Sequence, residues 1–290
     1  MKTNILKAII NIVDNPVNEL KSYYENRNRA NSMGGALEEY IKDIFAGTVT
    51  ETDEAKRLKI LEDVFSYQGN QNNPPDSMIR NGDAIEVKKI ESKNSLLALN
   101  SSYPKAKIFS NSTMITTACR NCEEWTEKDI IYAVGVVSKE GGKEGKHFSN
   151  LSMVYGVDYA ASAEIYERIK TVISDGVNSI TDVEFAQTNE LGRVNRVDPL
   201  GITYLRIRGM WGIENPIKTF SYLNPFTNNQ PFQLMAIIND EKYYSFPRDD
   251  INHIEQLTQN TNLKIIDVEI KTPDNPSNLK KAKLITFWRS

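Results

Sequence analysis

The stretch Asp76–Lys88 constrains this chain more than any other, because only one register makes chemical sense of its side chains. It reads Asp-Ser-Met-Ile-Arg-Asn-Gly-Asp-Ala-Ile-Glu-Val-Lys. Arg80-Asn81-Gly82 is turn chemistry, and Ser77–Ile79 and Ala84–Ile90 have strand character. Side chains alternate faces along a strand, so the loop length decides which residues meet. A two-residue Asn81-Gly82 turn would set Asp76 opposite Val87 and send Asp76 and Glu86 to different faces. A three-residue loop, Arg80-Asn81-Gly82, with Gly82 in the left-handed region as a bulge, sets Asp76 opposite Glu86. That register gathers Asp76, Glu86 and Lys88 on one face and turns Ile79, Ile85 and Val87 to the other. Polar and apolar sets then separate, and the odd loop is the expected one.

Such a cluster suits metal-assisted phosphoester hydrolysis. Mg2+ takes hard oxygen ligands and keeps several waters, so two carboxylates, a backbone carbonyl and a phosphate oxygen suffice. The bound ion would acidify water and stabilise charge on the phosphate. Lys88, on the same face as Glu86, is placed to orient the attacking water or to offset phosphate charge. The bland alternative is a surface strand carrying a Glu–Lys pair, and the Glu-x-Lys triplet alone does not exclude it.

The 290 residues suffice for one large domain or two modest ones. A formal net charge of −3 gives no global basic signal for nucleic acid, although local positive charge remains open. Cys119 and Cys122 are the two cysteines, and with His147 and His253 they lack the spacing of a four-ligand zinc site. Two reduced, partly buried thiols and an intracellular, reducing compartment are expected. No apolar run reaches membrane-spanning length, and the N-terminus leads into an amphipathic helix.

Helical apolar spacing is expected over Ile5–Val13, then Pro16–Asn26, followed by a polar, basic loop over 26–32. A third helix is expected over Gly35–Ala46. There Glu38 shares the stripe of Ile41 and Phe45, whereas Glu39 aligns with Lys42 and Asp43 on the solvated face. Glu38 can therefore reach the carboxylate cluster from a neighbouring helix, or it is a boundary glutamate tipped into solvent. Asn100, Ser101, Ser102 and Lys105 lie in a polar loop suited to phosphates. A strand is expected within 108–118, and Asp129–Val137 reads as a buried strand. A turn over Gly141–Lys146 and a helix over Tyr159–Ile173 follow. The order of elements implies an α/β fold, a mixed β-sheet core flanked by helices, with a β-rich C-terminal region of short strands and turns. The division expected is 1–180 for the core and 181–290 for a region packed on it.

Arg193, Arg196, Arg206 and Arg208 fall within sixteen residues that hold no lysine. The planar guanidinium fork suits bidentate contacts to guanine and to phosphate. Arg206 and Arg208 are expected on one face of a short strand with Leu205 and Ile207 behind, and Arg193 and Arg196 in a glycine-flanked loop. Ion pairing with Glu190, Asp198 or Glu214 is the competing reading.

With these residues in place, the chain resembles type II restriction endonucleases of the PD-(D/E)XK superfamily, and more narrowly the NgoPII-like group. The resemblance runs through Pro75-Asp76 and Glu86-Val87-Lys88, and through Ala36–Ile41, Leu99–Ser102, Lys128–Tyr132 and Glu190–Trp211. It implies a restriction-endonuclease-like fold, a homodimer, and Mg2+-dependent cleavage of both strands of double-stranded DNA at a short palindromic site, with GGCC as the guess. It assigns the metal to Asp76, Glu86 and the Val87 carbonyl, water activation to Lys88, and an auxiliary acidic role to Glu38. It further implies a bacterial cytoplasm and a cognate DNA methyltransferase in the same system, not necessarily in contact. Two alternatives stay open: a structure-specific repair or junction-resolving nuclease, and a non-catalytic DNA-binding protein.

Overall fold

A strand apolar on both faces must be covered on both, and Ile130–Val137 is buried throughout. It forms the middle of the longest strand in a computed structural model that describes residues 2–17, 20, 24, 33–69, 73–100, 102–140, 143–179, 184–185, 191–200, 202–226 and 230–289. Along the chain the strands are β1 (Phe65–Tyr67), β2 (Ser77–Ile79), β3 (Ala84–Ile90), β4 (Leu96–Asn100), β5 (Lys107–Phe109), β6 (Glu127–Glu140) and β7 (Lys143–Tyr155). They continue with β8 (Glu184–Phe185), β9 (Gly192–Asn195), β10 (Leu205–Ile207), β11 (Trp211–Glu214), β12 (Phe232–Asn239), β13 (Lys264–Lys271) and β14 (Leu279–Arg289). The main sheet runs β1-β2-β3-β6-β7-β12-β14-β13, with β5 alongside β6. The pairs β3–β6 and β7–β12 are parallel and the others antiparallel, so the sheet is mixed, as expected.

Helices Ile5–Asp14, Met33–Ala46 and Arg248–Leu257 cover one face, packing on Ile85, Val87, Ile131, Ala133 and Leu234. The opposite face buries Met78, Ala84, Tyr132, Val134 and Met235 beneath shorter segments, including Gly156–Tyr159 and Pro216–Thr219. The first helix is capped by the Asn4 side chain accepting from the Lys7 N–H, and it ends at Asp14, ahead of Pro16. Of the expected Pro16–Asn26 helix only Pro16, Val17, Leu20 and Tyr24 are described, and the basic loop 26–32 lies outside the described residues. No helix among the described residues is long and apolar enough to cross a membrane.

Several elements differ from expectation. The third helix begins at Met33 rather than Gly35. The single helix over Tyr159–Ile173 is two, Gly156–Tyr159 and Ala163–Asn178, because extended backbone at Ala160 and Ser162 separates them. Ile165, Ile169, Val172 and Ile173, the apolar stripe of the second of these helices, are exposed. The 108–118 segment gives only β5 and then a turn leading to helix Thr117–Arg120, capped by Thr116. Lys143–Lys146 belong to β7, not to a turn, while Gly141 and Gly142 lie outside the described residues. Beyond residue 230 the chain supplies three long strands of the main sheet, β12, β13 and β14, where short strands and turns were expected.

A buried ion network ties the helices near the sheet edge together. Arg57, on helix Glu54–Val64, is 1% exposed and donates from Nε to Asp43 at 2.7 Å and from its terminal nitrogens to Glu39 at 2.5 Å and Glu54 at 3.0 Å. Asp43 is wholly buried and also accepts from the hydroxyls of Tyr24 and Thr48. Glu39 is therefore no solvated-face residue: it bridges Arg57 and Lys42. Removing Arg57 would leave Asp43 as an uncompensated buried charge. Arg57→Ala should lower the unfolding free energy by about 3–5 kcal/mol in urea titrations. A loss below about 1 kcal/mol would show that solvent already stabilises Asp43.

Candidate active site

Backbone pairing fixes the hairpin. Ser77 pairs with Ile85 and Met78 with Ala84, so one more step sets Asp76 across from Glu86. Ile79 and Asp83 close the loop, and Arg80-Asn81-Gly82 is the odd, three-residue turn expected. The left-handed residue is Asn81, at φ +54°, and not Gly82. Asparagine tolerates that region, and Gly82 is needed for space instead: a Cβ there would stand 2.8 Å from the Ile79 Cγ2. Ile79, Ile85 and Val87 enter the core beneath the helices, on the face opposite Met78 and Ala84.

Asp76 follows the buried Pro75 and accepts the Val87 N–H on Oδ2 at 2.6 Å. Glu86, 8% exposed, accepts from the Lys88 ammonium on Oε1 at 2.6 Å, while its Oε2 is buried with no hydrogen-bond partner. Burial first, and the Asp76 charge second, raise the Glu86 carboxyl to about 7. Burial likewise raises Asp76, against Lys88 and the Val87 N–H. Burial would lower Lys88, but the Glu86 and Asp76 carboxylates outweigh it and hold the ammonium above its ordinary value. Two crowded carboxylates, one with an orphaned buried oxygen, make a site that a hard cation would relieve. Among the described residues no group of three or more His, Cys, Asp or Glu is arranged to hold a metal. Asp76 and Glu86 offer two carboxylates, a set that would fit an ion that retains water.

Glu38 faces this pair. It lies on the exposed side of helix Met33–Ala46, and its carboxyl is raised by burial and then by the Asp76 charge, against Lys42 and Lys88. Glu39, committed to Arg57, points into the other network. Lys105 stands on the far side of Tyr132, whose hydroxyl accepts the Lys105 N–H at 2.7 Å and donates to the Lys105 carbonyl at 3.2 Å. Tyr132 is in turn the β6 neighbour of Glu86. The Lys105 ammonium sits 3.3 Å from the Tyr103 ring centre, and burial lowers it to about 8. Ser102 is half-buried in the same loop, while Ser101 and the side chain of Asn100 lie outside the described residues.

The arginine segment is arranged differently from expectation. Arg193 lies in β9, not a loop, directly across from Arg206 in β10, and stacks 4.9 Å from the Tyr204 ring centre. Cross-strand pairing of Gly192–Val194 with Leu205–Ile207 makes the strand, extending it through the position read as a loop. Arg208 falls beyond the end of β10, and Leu205 is half exposed rather than packed behind. Arg196 follows the end of β9 in irregular backbone, in the left-handed region at φ +49°. Glu190 and Gly201 lie outside the described residues.

Comparison with known proteins matches residues 3–271 to the model of the NgoPII restriction endonuclease family. The chain is also 52% identical over 286 residues to the type II restriction enzyme NgoPII of Neisseria gonorrhoeae, covering 98% of this chain and 99% of the relative. The chain belongs to the NgoPII restriction endonuclease family. No solved structure matches it. Membership makes it a hydrolase, a type II site-specific deoxyribonuclease.

Two features of this NgoPII-family site escaped the sequence reading. Tyr132 sits inside an apolar run, and only the parallel register of β3 on β6 reveals that it borders Glu86. Gly69 lies in a loop without a motif, yet it packs on the Asp76 backbone. The raised Glu86 carboxyl has a thermodynamic consequence. Between its ordinary value of 4.5 and about 7, the folded chain binds more protons than the unfolded one. Stability from this group is therefore full below about pH 4.5 and falls as pH rises through about 7. Without divalent cation, the melting temperature should drop between about pH 5 and pH 8, more steeply in the native protein than in Glu86→Gln. Identical pH slopes in the two proteins would rule out a raised carboxyl at Glu86.

Proposed function

We propose that this restriction enzyme hydrolyses one phosphodiester in each strand of duplex DNA with Mg2+, at a short palindromic G/C-rich site, with GGCC as the working target. The observation that carries the chemistry is the Asp76–Glu86 pair across β2 and β3, with the Lys88 ammonium bonded to Glu86. Asp76, Glu86 and the Val87 carbonyl would hold the cation, which when bound supplies Lewis acidity to water and to the phosphate. Lys88, kept charged by both carboxylates, orients the attacking water and offsets charge growing on the phosphoryl oxygens. Glu38 supplements the carboxylate pair from its helix. The orphaned Glu86 oxygen supports the cation's place, because a buried acceptor without a donor is costly.

Asn100, Ser101, Ser102 and Lys105 would contact the DNA backbone beside the cutting site, which the Tyr132 link from Lys105 to the neighbour of Glu86 supports. Arg193, Arg196, Arg206 and Arg208, within the region 181–290, would read base edges and phosphates. The cross-strand placing of Arg193 and Arg206 supports this reading, because it sets two guanidinium groups on one face of the small sheet. A palindrome matches a twofold homodimer in which each subunit reads one half-site and cuts one strand. Such an enzyme works in the bacterial cytoplasm beside a cognate methyltransferase that shields host sites.

Plasmid incubated with the protein should give discrete fragments sharing one end sequence with Mg2+ and remain uncut with EDTA. Ragged or structure-dependent ends would favour a repair nuclease, and shifted but uncut DNA a binder without catalysis. Asp76→Ala and Lys88→Ala should abolish cutting and keep specific binding, and full activity in either would refute the assignment. Glu38→Gln should slow cutting at unchanged stability, whereas Glu39→Gln should act mainly on stability. Arg193→Ala or Arg206→Ala should weaken specific binding by about 1–3 kcal/mol per lost base contact, measured by fluorescence anisotropy at fixed salt. Unchanged affinity in both would move base reading to other residues.

A further inference from the structure

We infer that Gly69 is a positioning residue that sets the distance between Asp76 and Glu86, an inference resting on the proposed roles of those carboxylates. After β1 the chain turns back along the segment that precedes β2, because Phe65 pairs with Ile79 and Tyr67 with Met78. Gly69 adopts φ +68°, which residues with a Cβ rarely adopt. A Cβ at this position would stand 2.2 Å from the Asp76 carbonyl oxygen, 2.8 Å from its carbonyl carbon and 3.0 Å from its Cα. All three are backbone atoms, so no change of rotamer relieves the overlap. A side chain at 69 must move either this loop or Asp76 itself.

Asp76 is held from two sides. Its carboxylate is fixed on β3 by the Val87 N–H at 2.6 Å, and its backbone rests against Gly69. Pushing the backbone while the carboxylate stays anchored rotates the side chain and alters its separation from Glu86. Placement errors of about 1 Å at a reacting centre cost on the order of 10²-fold in rate. Not every glycine is so placed: a Cβ at Gly176 meets nothing within 4 Å and one at Gly212 only the Leu97 carbonyl at 3.5 Å, whereas one at Gly156 would overlap the carbonyls of Lys105 and Ala106 at 2.3 and 2.6 Å, away from Asp76.

The test compares native protein, Gly69→Ala, Gly69→Asn, Asp76→Ala and a Gly176→Ala control. Four quantities are read: single-turnover cleavage with Mg2+, DNA affinity in EDTA, melting temperature, and Mn2+ affinity from paramagnetic resonance without DNA. Gly69→Ala should cut about 10²-fold more slowly and bind Mn2+ more weakly, with DNA affinity unchanged and a cooperative melt retained. Asparagine tolerates the left-handed backbone but still carries a Cβ. If contact with Asp76 is the cause, Gly69→Asn is as impaired as Gly69→Ala. Recovery in Gly69→Asn would assign the defect to backbone strain and overturn the inference. Native-rate cleavage by Gly69→Ala, or equal losses of cutting and DNA binding, would also overturn it. An active Asp76→Ala would instead defeat the underlying site assignment, whatever Gly69→Ala does.

Discussion

The alternation of side chains along β3 is the constraint on which the rest depends. Ile85 and Val87 point into the core beneath the helices, so Glu86 and Lys88 must point the other way. A slip of one residue would bury a carboxylate among Leu37, Ile41 and Ile131 and expose the apolar set. The hairpin is accordingly pinned at its turn. The Arg80 guanidinium donates to the carbonyls of Glu62, Asp63 and Phe65, and the Lys128 ammonium to those of Ile79 and Gly82. Glu123 accepts the Asn81 N–H, while Asp83 accepts from Tyr155 and Lys242. These contacts grip backbone atoms or Asp83, the residue that closes the loop. They hold the register without occupying the carboxylates proposed to do the chemistry.

Holding that register leaves an electrostatic conflict at the site, and the conflict is useful. Glu86 is buried beside Asp76 with one oxygen unpartnered, an arrangement that destabilises the metal-free chain. Perturbed groups of this kind concentrate where a ligand compensates them. The neighbouring acidic network shows the contrast. Asp43 is more deeply buried than Glu86, yet Arg57, Thr48 and Tyr24 satisfy it fully, so it has no call for an outside cation. Glu38 and Glu39, adjacent in sequence, fall on opposite sides of this divide: one faces an unsatisfied pair and the other a satisfied one.

Local signals carried much of this into the sequence. Period-two alternation and turn chemistry determine the hairpin parity, and the double-sided apolar run over 130–137 identifies the central strand. Helical stripes locate Ile5–Asp14 and most of Met33–Ala46, but they invert the two glutamates: Glu38, expected at the margin of the buried face, is the exposed one, and Glu39, expected on the solvated face, is half-buried against Arg57. Arg57 is the reason: a lone arginine in a charged helix looks solvated until the tertiary fold brings it over Asp43. The exposed stripe of helix Ala163–Asn178 misleads in the opposite sense, because apolar spacing reports a sticky face and not what covers it. Tyr132 and Gly69 were illegible because each depends on a pairing between distant segments, β3 with β6 and the end of β1 with the approach to β2.

The segments proposed to cut and to read, separated by about a hundred residues in the chain, are linked by a run of packed contacts. β4 pairs antiparallel with β11, setting Asn100 beside Trp211. The Tyr103 ring then stacks on Tyr166 at 5.0 Å and meets Trp211 edge-on at 6.0 Å, with the Lys105 ammonium 3.3 Å from the Tyr103 ring centre. From Lys105 the Tyr132 hydroxyl leads to the strand position beside Glu86. The arginine strand β10 ends at Ile207, shortly before β11 begins at Trp211. Aromatic contacts of this kind are direction-dependent and fix the rings against one another. The residues proposed to cut and those proposed to read therefore lie along one continuous run of packed side chains.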